Sequence, residues 1–319
     1  MPAFPEFDRC RLSLRPLAER RNDMDHSRVR ALSPVAEVPA QLQKTAAKII
    51  MAKEKGASIL FFMGAHVLRA GVQRYLIDMM EKGWITALAG NGACAIHDYE
   101  LALLGGTTES VARYIRDGSF GFWQETGQIN DITVDAHKKN MGFGEALGHA
   151  IVERELPHRD ISVFAAAHRL GVLATVHVGV GCDIIHQHPN CDGAATGAVS
   201  YRDFLRFAHT VKNLSGGVVM NFGSAVTGPE VFLKALAMAR NVARQEGGVV
   251  TDFTSLVCDI RELPPDYRRE AARDSAGYFF RPWKTMLVRT LAGNGESFYV
   301  QGRHEETVPA LWTALSRTP

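Results

Sequence analysis

The sequence predicts a doubly wound α/β domain, in which a mostly parallel sheet carries helices on both faces. Short apolar runs of strand length alternate with longer segments whose apolar residues recur at helical spacing, which is the order of βαβ units. The apolar runs show little alternation with polar residues, as expected for strands that are covered on both faces. The chain has 319 residues, of which 46% are hydrophobic, so it is long enough to bury such a core.

The first two strand–helix units are predicted between residues 58 and 104. Residues 58–63 and 84–89 are apolar runs of strand length. A helix is predicted after each run: the first carries an apolar stripe that ends at Gly83, and the second covers residues 93–104. The pattern therefore starts as β-α-β-α.

The second half of the chain repeats this alternation after a less regular stretch. Strands are predicted at residues 172–178, 217–222, 249–256 and 298–300. Between them, Ser200 and Asp203 resemble a capping box that opens a helix, and Gly228-Pro229 opens another. A terminal helix is predicted over residues 305–315.

We divide the chain into an N-terminal arm, residues 1–45, and a single domain, residues 46–319. The arm is charged and weakly periodic, so it is expected either to pack on the body or on another subunit, or to be partly disordered. A formal net charge of +2 gives no electrostatic case for nucleic acid. No apolar run approaches the roughly 20 residues that cross a bilayer. Five scattered cysteines without a CxxC pair are typical of a reduced, cytoplasmic protein.

Glycine-containing turns follow four of the predicted strands and predict a nucleotide site. Small residues let a ligand approach the backbone, and helix starts offer N–H groups to phosphate. The predicted cofactor contacts are Gly64, Gly90, Asn91, Gly92, Asp98, Asp183, Gly223 and Ser224. No strict GxGxxG is present, because the turn that contains Gly90 and Gly92 continues to Ala95. A conventional dinucleotide-binding dehydrogenase is therefore not favoured by this motif alone.

Five polar side chains are candidates for specific roles. Asp98 is predicted either to accept from a ribose hydroxyl or only to start a helix, whereas Asp183 lies in a glycine-rich loop that suits a ligand contact. His186 and His188 would share one face of a strand, but no third ligand is assured, so we predict proton transfer or hydrogen bonding and no metal. Lys284 follows aromatic residues that could desolvate its amine and make it a nucleophile; a solvated surface lysine is the alternative.

The order of these segments resembles the deoxyhypusine synthases. Residues 59–71 and then residues 89–92 are similar to the NAD-binding region of that family. The strand before Asp183, the glycine-rich residues 216–223 and the Trp283-Lys284 pair are similar to its later segments. The similarity is one of order and spacing.

The resemblance covers roughly residues 46–315 and implies an NAD-binding, Rossmann-like fold in a homotetramer or homodimer. It also implies an enzyme that passes an aminobutyl group from a polyamine to a lysine. On it, Lys284 matches that lysine, Gly90 the glycine of the cofactor loop and Asp183 the acidic cofactor contact. Residues 224–229 stand where the family has its catalytic histidine, and most of its acidic polyamine loop is missing.

These departures predict a changed activity. We expect an NAD-dependent enzyme, related to aminobutyl transferases, that acts on an amine or another small polar substrate but does not form hypusine. The alternative is a non-catalytic nucleotide-binding or assembly protein on the same fold. A sirtuin-like deacylase would need paired CxxC motifs for its zinc, and the sequence has none.

Overall fold

The computed structural model describes residues 4–318 and contains a six-stranded, all-parallel sheet. Its strands are β1 (Ile59–Met63), β2 (Ala87–Asn91), β3 (Leu173–His177), β4 (Val218–Phe222), β5 (Thr254–Asp259) and β6 (Glu296–Gln301). Their order across the sheet is β3-β2-β1-β4-β5-β6. The chain thus winds outward from β1 to β3, returns to β4 beside β1, and winds outward again. The predicted doubly wound sheet is confirmed.

The centre of the sheet is the pair β1 and β4, which is buried on both faces. The two strands pair in register along their whole length. On one face the rings of Phe61 and Phe222 stack with their centroids 4.8 Å apart, and on the other Phe62 meets Phe207 at 4.9 Å. Burial of each such side chain contributes about 1.5–3 kcal/mol. This double burial explains why β1 is continuously apolar and why β4 is apolar except at Asn221.

Helices cover both faces of the sheet. In chain order the described α-helices are α1 (Ala40–Glu54), α2 (Ala65–Arg69), α3 (Gln73–Glu81), α4 (Gly92–Leu104), α5 (Val111–Tyr114), α6 (Gln128–Lys138), α7 (Phe143–Glu153), α8 (Val163–Leu170), α9 (Gly193–Val211), α10 (Thr227–Gln245) and α11 (His304–Arg317). The core on one face uses α1, α3, α4, α7, α8 and α11; the other uses α9, α10 and a π-helix (Pro282–Arg289). Within residues 4–318, no helix has both the length and the apolar character needed to cross a membrane.

The capping box predicted at the start of α9 is wrong. The helix begins at Gly193, where the Asp192 side chain caps it, so Ser200 and Asp203 lie inside the helix. The Ser200 hydroxyl donates to the carbonyl oxygen of Val176 at 2.9 Å, and the Asp203 carboxylate accepts from the Val176 N–H at 2.8 Å. Because β3 is an edge strand, its outer backbone groups need partners, and these two side chains supply them.

The N-terminal arm runs over the body. Its Arg20 guanidinium makes two hydrogen bonds of 2.8 Å to the Glu100 carboxylate, and both side chains are 1% exposed. Glu100 also accepts from the hydroxyls of Thr107 and Thr126, each at 2.6 Å. Residues Met24–Asp25 add a short antiparallel ladder to the body. These contacts hold the arm across the carboxyl edge of the sheet.

Candidate functional site

A cleft of about 1000 Å³ opens at the carboxyl ends of β1, β4, β5 and β6. Its lining comes from the loops after these strands, from α2 and from the arm, and includes Asp23, Arg28, Arg30, His66, Arg69, Gly223, Asp259, Arg261, Gln301, Arg303, His304, Glu305 and Glu306. Between β1 and β4 the strand order reverses. Open parallel sheets bind their ligands beside such a switch point. The cleft is therefore the candidate site.

Two glycines face each other at the switch point. The N–H of Gly64 donates to the carbonyl oxygen of Phe222 at 2.8 Å. A Cβ added to Gly64 would lie 2.3 Å from the carbonyl oxygen of Gly223. Gly223 itself has a φ of +69°, in the left-handed region that favours glycine. The structure thus brings together two of the predicted cofactor glycines, because β1 and β4 are neighbours.

A second group of predicted residues lies at the ends of β2 and β3. A Cβ added to Gly92 would lie 1.9 Å from Oδ2 of Asp183, so this carboxylate sits directly on the backbone that follows Gly90 and Asn91. Burial raises the pKa of Asp183 to about 6. The Asn91 side chain caps α4 by accepting from the Cys94 N–H at 3.1 Å. Dinucleotide sites often carry an acid at the end of the second strand. In this chain Asp183 lies in the loop after the neighbouring strand β3.

Asp98 and Ser224 direct their side chains to helix starts inside the protein. The buried Asp98 carboxylate accepts from the Val163 N–H at 2.9 Å and from the Ser162 hydroxyl, and so caps α8. The Ser224 hydroxyl accepts from the Gly228 N–H at 2.8 Å, at the start of α10. The bonds of Asp98 give it a structural role as a cap of α8, and we do not include it in the proposed site.

The two histidines after β3 lie away from the cleft. Nδ1 of His186 accepts from the N–H groups of Gly181 and Asp183, at 3.2 and 3.1 Å, and so orders the glycine-rich loop. His188 is fully buried with Nε2 2.7 Å from the carbonyl oxygen of Gly121. Burial lowers the pKa of both rings. Within residues 4–318, no three His, Cys, Asp or Glu side chains are grouped to hold a metal ion.

Lys284 lies in the π-helix and is not among the described residues that line the cleft. Its side chain is 9% exposed, and Nζ lies 3.9 Å from the centroid of the Tyr278 ring. The aromatic cover expected from the sequence is therefore present, but Tyr278 provides the contact. The structure buries this amine against a ring and does not bring it together with the predicted glycines.

The cations of the cleft are the functional candidates that sequence reasoning missed. Arg28 and Arg30 come from the arm, Arg69 from α2, Arg261 from the loop after β5, and Arg303 from the residue before α11. Among residues 4–318, none of the ion pairs involves Arg28, Arg69 or Arg261. These five side chains come from four segments that are distant in the sequence, so no local motif predicts them.

One family model matches the chain. It describes the Rossmann-fold part of the C-terminal region of ArgZ-like arginine dihydrolases, and it matches residues 43–141, from α1 to the turn after α6. The strand order β3-β2-β1-β4-β5-β6 is the one that this fold class shows. The chain has a Rossmann fold.

Several solved structures are similar to this Rossmann domain. ArgZ, an arginine dihydrolase of the ornithine–ammonia cycle in cyanobacteria, has a TM-score of 0.51 and 14% identity over 89% of this chain and 34% of its own. Unliganded AgrE has a TM-score of 0.53 and 14% identity over 86% and 32%. A LOR/SDH protein of Methanococcus maripaludis S2 has a TM-score of 0.51 and 14% identity over 90% and 72%.

The chain spans about a third of the length of ArgZ and AgrE, and at these identities the similarity concerns the fold alone. No curated protein matches the sequence. A structure named as a deoxyhypusine synthase, from Entamoeba histolytica, has a TM-score of 0.40 and 9% identity over 86% of each chain, which is too low to argue from. Membership of the deoxyhypusine synthase family is not established, and the family model supports the Rossmann fold.

Proposed function

We propose that this Rossmann domain binds a nicotinamide dinucleotide across the carboxyl edge of its sheet and acts on a small substrate that carries an amino group. The observation that carries the proposal is the switch point. There the backbones of Gly64 and Gly223 meet with no side chain between them, and Gly223 lines a cleft of about 1000 Å³. A cleft of this size accommodates a small-molecule ligand.

Two separate groups of residues fit two parts of a dinucleotide, a ribose and the phosphates. Asp183, seated on Gly92, offers a carboxylate to a ribose hydroxyl beyond β2. Arg28 and Arg69 offer guanidinium groups without carboxylate partners to the two phosphates. AgrE has been crystallised with ornithine and NAD+ and has a TM-score of 0.50 to this chain, which supports NAD as the cofactor.

The charges of the cleft favour an amino acid over a polyamine. Its lining has five arginines and four acidic residues, so a polyamine, which has only positive charges, would face more cations than anions. A zwitterion fits better, because Arg261 or Arg303 would pair with its carboxylate and Asp259 with its ammonium group. The complexes of AgrE with L-arginine and with ornithine support this substrate class.

A nucleotide-binding protein without catalysis is the second candidate. The position of Lys284 favours it, because the amine lies over Tyr278 and does not line the cleft. Binding of NAD without turnover of any amino acid or amine would support this alternative. Assembly as a homodimer or homotetramer and a cytoplasmic location stay predictions from the sequence.

Calorimetric titration with NAD tests the proposal. We expect the protein to bind NAD with a Kd of about 1–100 µM. Arg69→Gln should weaken binding about tenfold, because it removes one charge from the phosphates. Arg244→Gln is the matched control, since Arg244 is exposed near the C-terminus of α10, at the opposite edge of the sheet. Absence of binding at millimolar NAD would refute the dinucleotide proposal.

A further inference from the structure

A histidine from the other end of the chain reaches the switch point. His304 is the first residue of α11, where the chain leaves β6, and it lines the cleft with only 9% of its surface exposed. A Cβ added to Gly223 would lie 2.4 Å from Nε2 of His304, so the ring edge rests on the Gly223 backbone. The histidine therefore occupies the point where β1 and β4 diverge.

Packing holds the His304 ring in place, and no hydrogen bond with the described residues does so. Nδ1 is buried and has no hydrogen-bond partner among residues 4–318. The Phe222 ring packs beside it, with centroids 6.3 Å apart. Nε2 makes no hydrogen bond with the described residues either and is not fully buried, so it is the ring nitrogen that a ligand can reach.

We propose that His304 is the proton-transfer residue of the cleft and accepts a proton at Nε2 from the amino group of the substrate. This inference rests on the proposed function, because it needs a substrate beside the switch point. A bound nicotinamide supplies the hydride acceptor for oxidation at the carbon that bears the amino group. The N–H bond at that carbon's nitrogen breaks, and its proton forms a new bond to Nε2. The electron pair left on the nitrogen forms the C=N bond as the C–H bond of that carbon breaks, and the hydride would reduce the bound nicotinamide.

The surroundings of His304 keep the ring in its neutral form. Burial lowers its pKa; Asp259 at the end of β5 and Glu305 on α11 oppose this effect, and His66 on α2 adds to it. A neutral imidazole at pH 7 is the form that can accept a proton.

No histidine directly follows the glycine-rich strand in the sequence. Residues 224–229 indeed contain none. In the structure His304 lies at the end of that strand, and the chain reaches this point from β6 through the turn Gly302-Arg303. Its distance of about 80 residues from Gly223 explains why no sequence motif showed it.

The test combines a spectroscopic and a kinetic measurement on the full chain. In the wild-type protein, the His304 imidazole is followed by NMR from pH 5 to pH 9, alone, with NAD, and with NAD and L-ornithine. We expect a pKa below the ordinary value of 6.5 and a change in its chemical shift when both ligands are added. His304→Gln should bind NAD within about twofold of wild type but lose at least a hundredfold in turnover of the amino acid that the wild type oxidises.

The control is His209→Gln, on the exposed face of α9, which should change neither NAD binding nor turnover. Two results would refute the inference while the proposed function stands. One is that NAD binds but neither ligand changes the chemical shift of His304, and the other is that His304→Gln has the turnover of wild type. If the wild type does not bind NAD, both the inference and the proposed function fail. The NMR measurement needs no variant, so an unstable His304→Gln protein would not prevent the test.

Discussion

Arg20→Ala is expected to lower the free energy of unfolding by about 3–5 kcal/mol, because it leaves a buried carboxylate without its cation. Glu100 would keep only the hydroxyls of Thr107 and Thr126. Burial opposes the ionisation of Glu100, but Arg20 and the hydrogen bonds outweigh it and hold its pKa below the usual 4.5. Urea denaturation of the two proteins at pH 7 measures the difference.

The destabilisation expected for Arg20→Ala depends on pH. A carboxyl whose pKa is lower in the folded protein adds stability above its unfolded pKa of 4.5, and this stability is lost as the pH falls through the folded pKa. The difference between wild type and Arg20→Ala should therefore narrow as the pH falls below about 4.5.

Arg15→Ala provides the matched control. Arg15 pairs with Glu19, four residues later in the chain, at 3.1 Å, and both side chains are about half exposed. Such a surface pair contributes roughly 0–1 kcal/mol. A loss below 1 kcal/mol in Arg20→Ala would contradict the buried-pair account and would mean that the arm contributes little to stability.

Gly64→Ala should disrupt the switch point. Its Cβ would lie 2.3 Å from the carbonyl oxygen of Gly223, so β1 and β4 must separate at their carboxyl ends, and the bond from the Gly64 N–H to Phe222 lengthens. We expect the free energy of unfolding to fall by about 1–3 kcal/mol and the affinity for NAD to fall at least about tenfold. Denaturation and calorimetry measure the two effects.

Gly197→Ala separates this effect from glycine replacement in general. Gly197 lies inside α9, it is exposed, and an added Cβ meets no atom of the described chain within 4 Å. Alanine there should stabilise the protein by up to about 1 kcal/mol and leave NAD binding unchanged. If Gly64→Ala kept the affinity and stability of wild type, the close approach of Gly64 and Gly223 would not be needed for either property.

The strands could be predicted from the sequence because the sheet is buried on both faces. The strand β1 is a continuous apolar run and β4 is apolar except at Asn221, and both lie within one residue of their predicted bounds. β5 was predicted too early, over residues 249–256, because Val249 and Val250 continue its apolar pattern. In the structure Val249 is 73% exposed in the loop before β5 (Thr254–Asp259).

The site was less predictable, because it depends on which strand ends are neighbours. Gly64 and Gly223 were both predicted, but only the strand order places them in contact. Likewise Asp183 meets Gly92 because β3 lies beside β2. Lys284 was chosen for its aromatic neighbours, but the ring that lies against its amine is that of Tyr278, away from the cleft. No spacing rule points to His304, which reaches the cleft from the last strand.

A crystal structure of the protein with NAD and L-ornithine tests the central claim most directly. We predict electron density for the dinucleotide along the carboxyl ends of β1, β2 and β4, with its ribose near Asp183 and its nicotinamide in the cleft beside His304. Density at the opposite edge of the sheet, or an empty cleft in crystals grown at saturating NAD, would contradict the account.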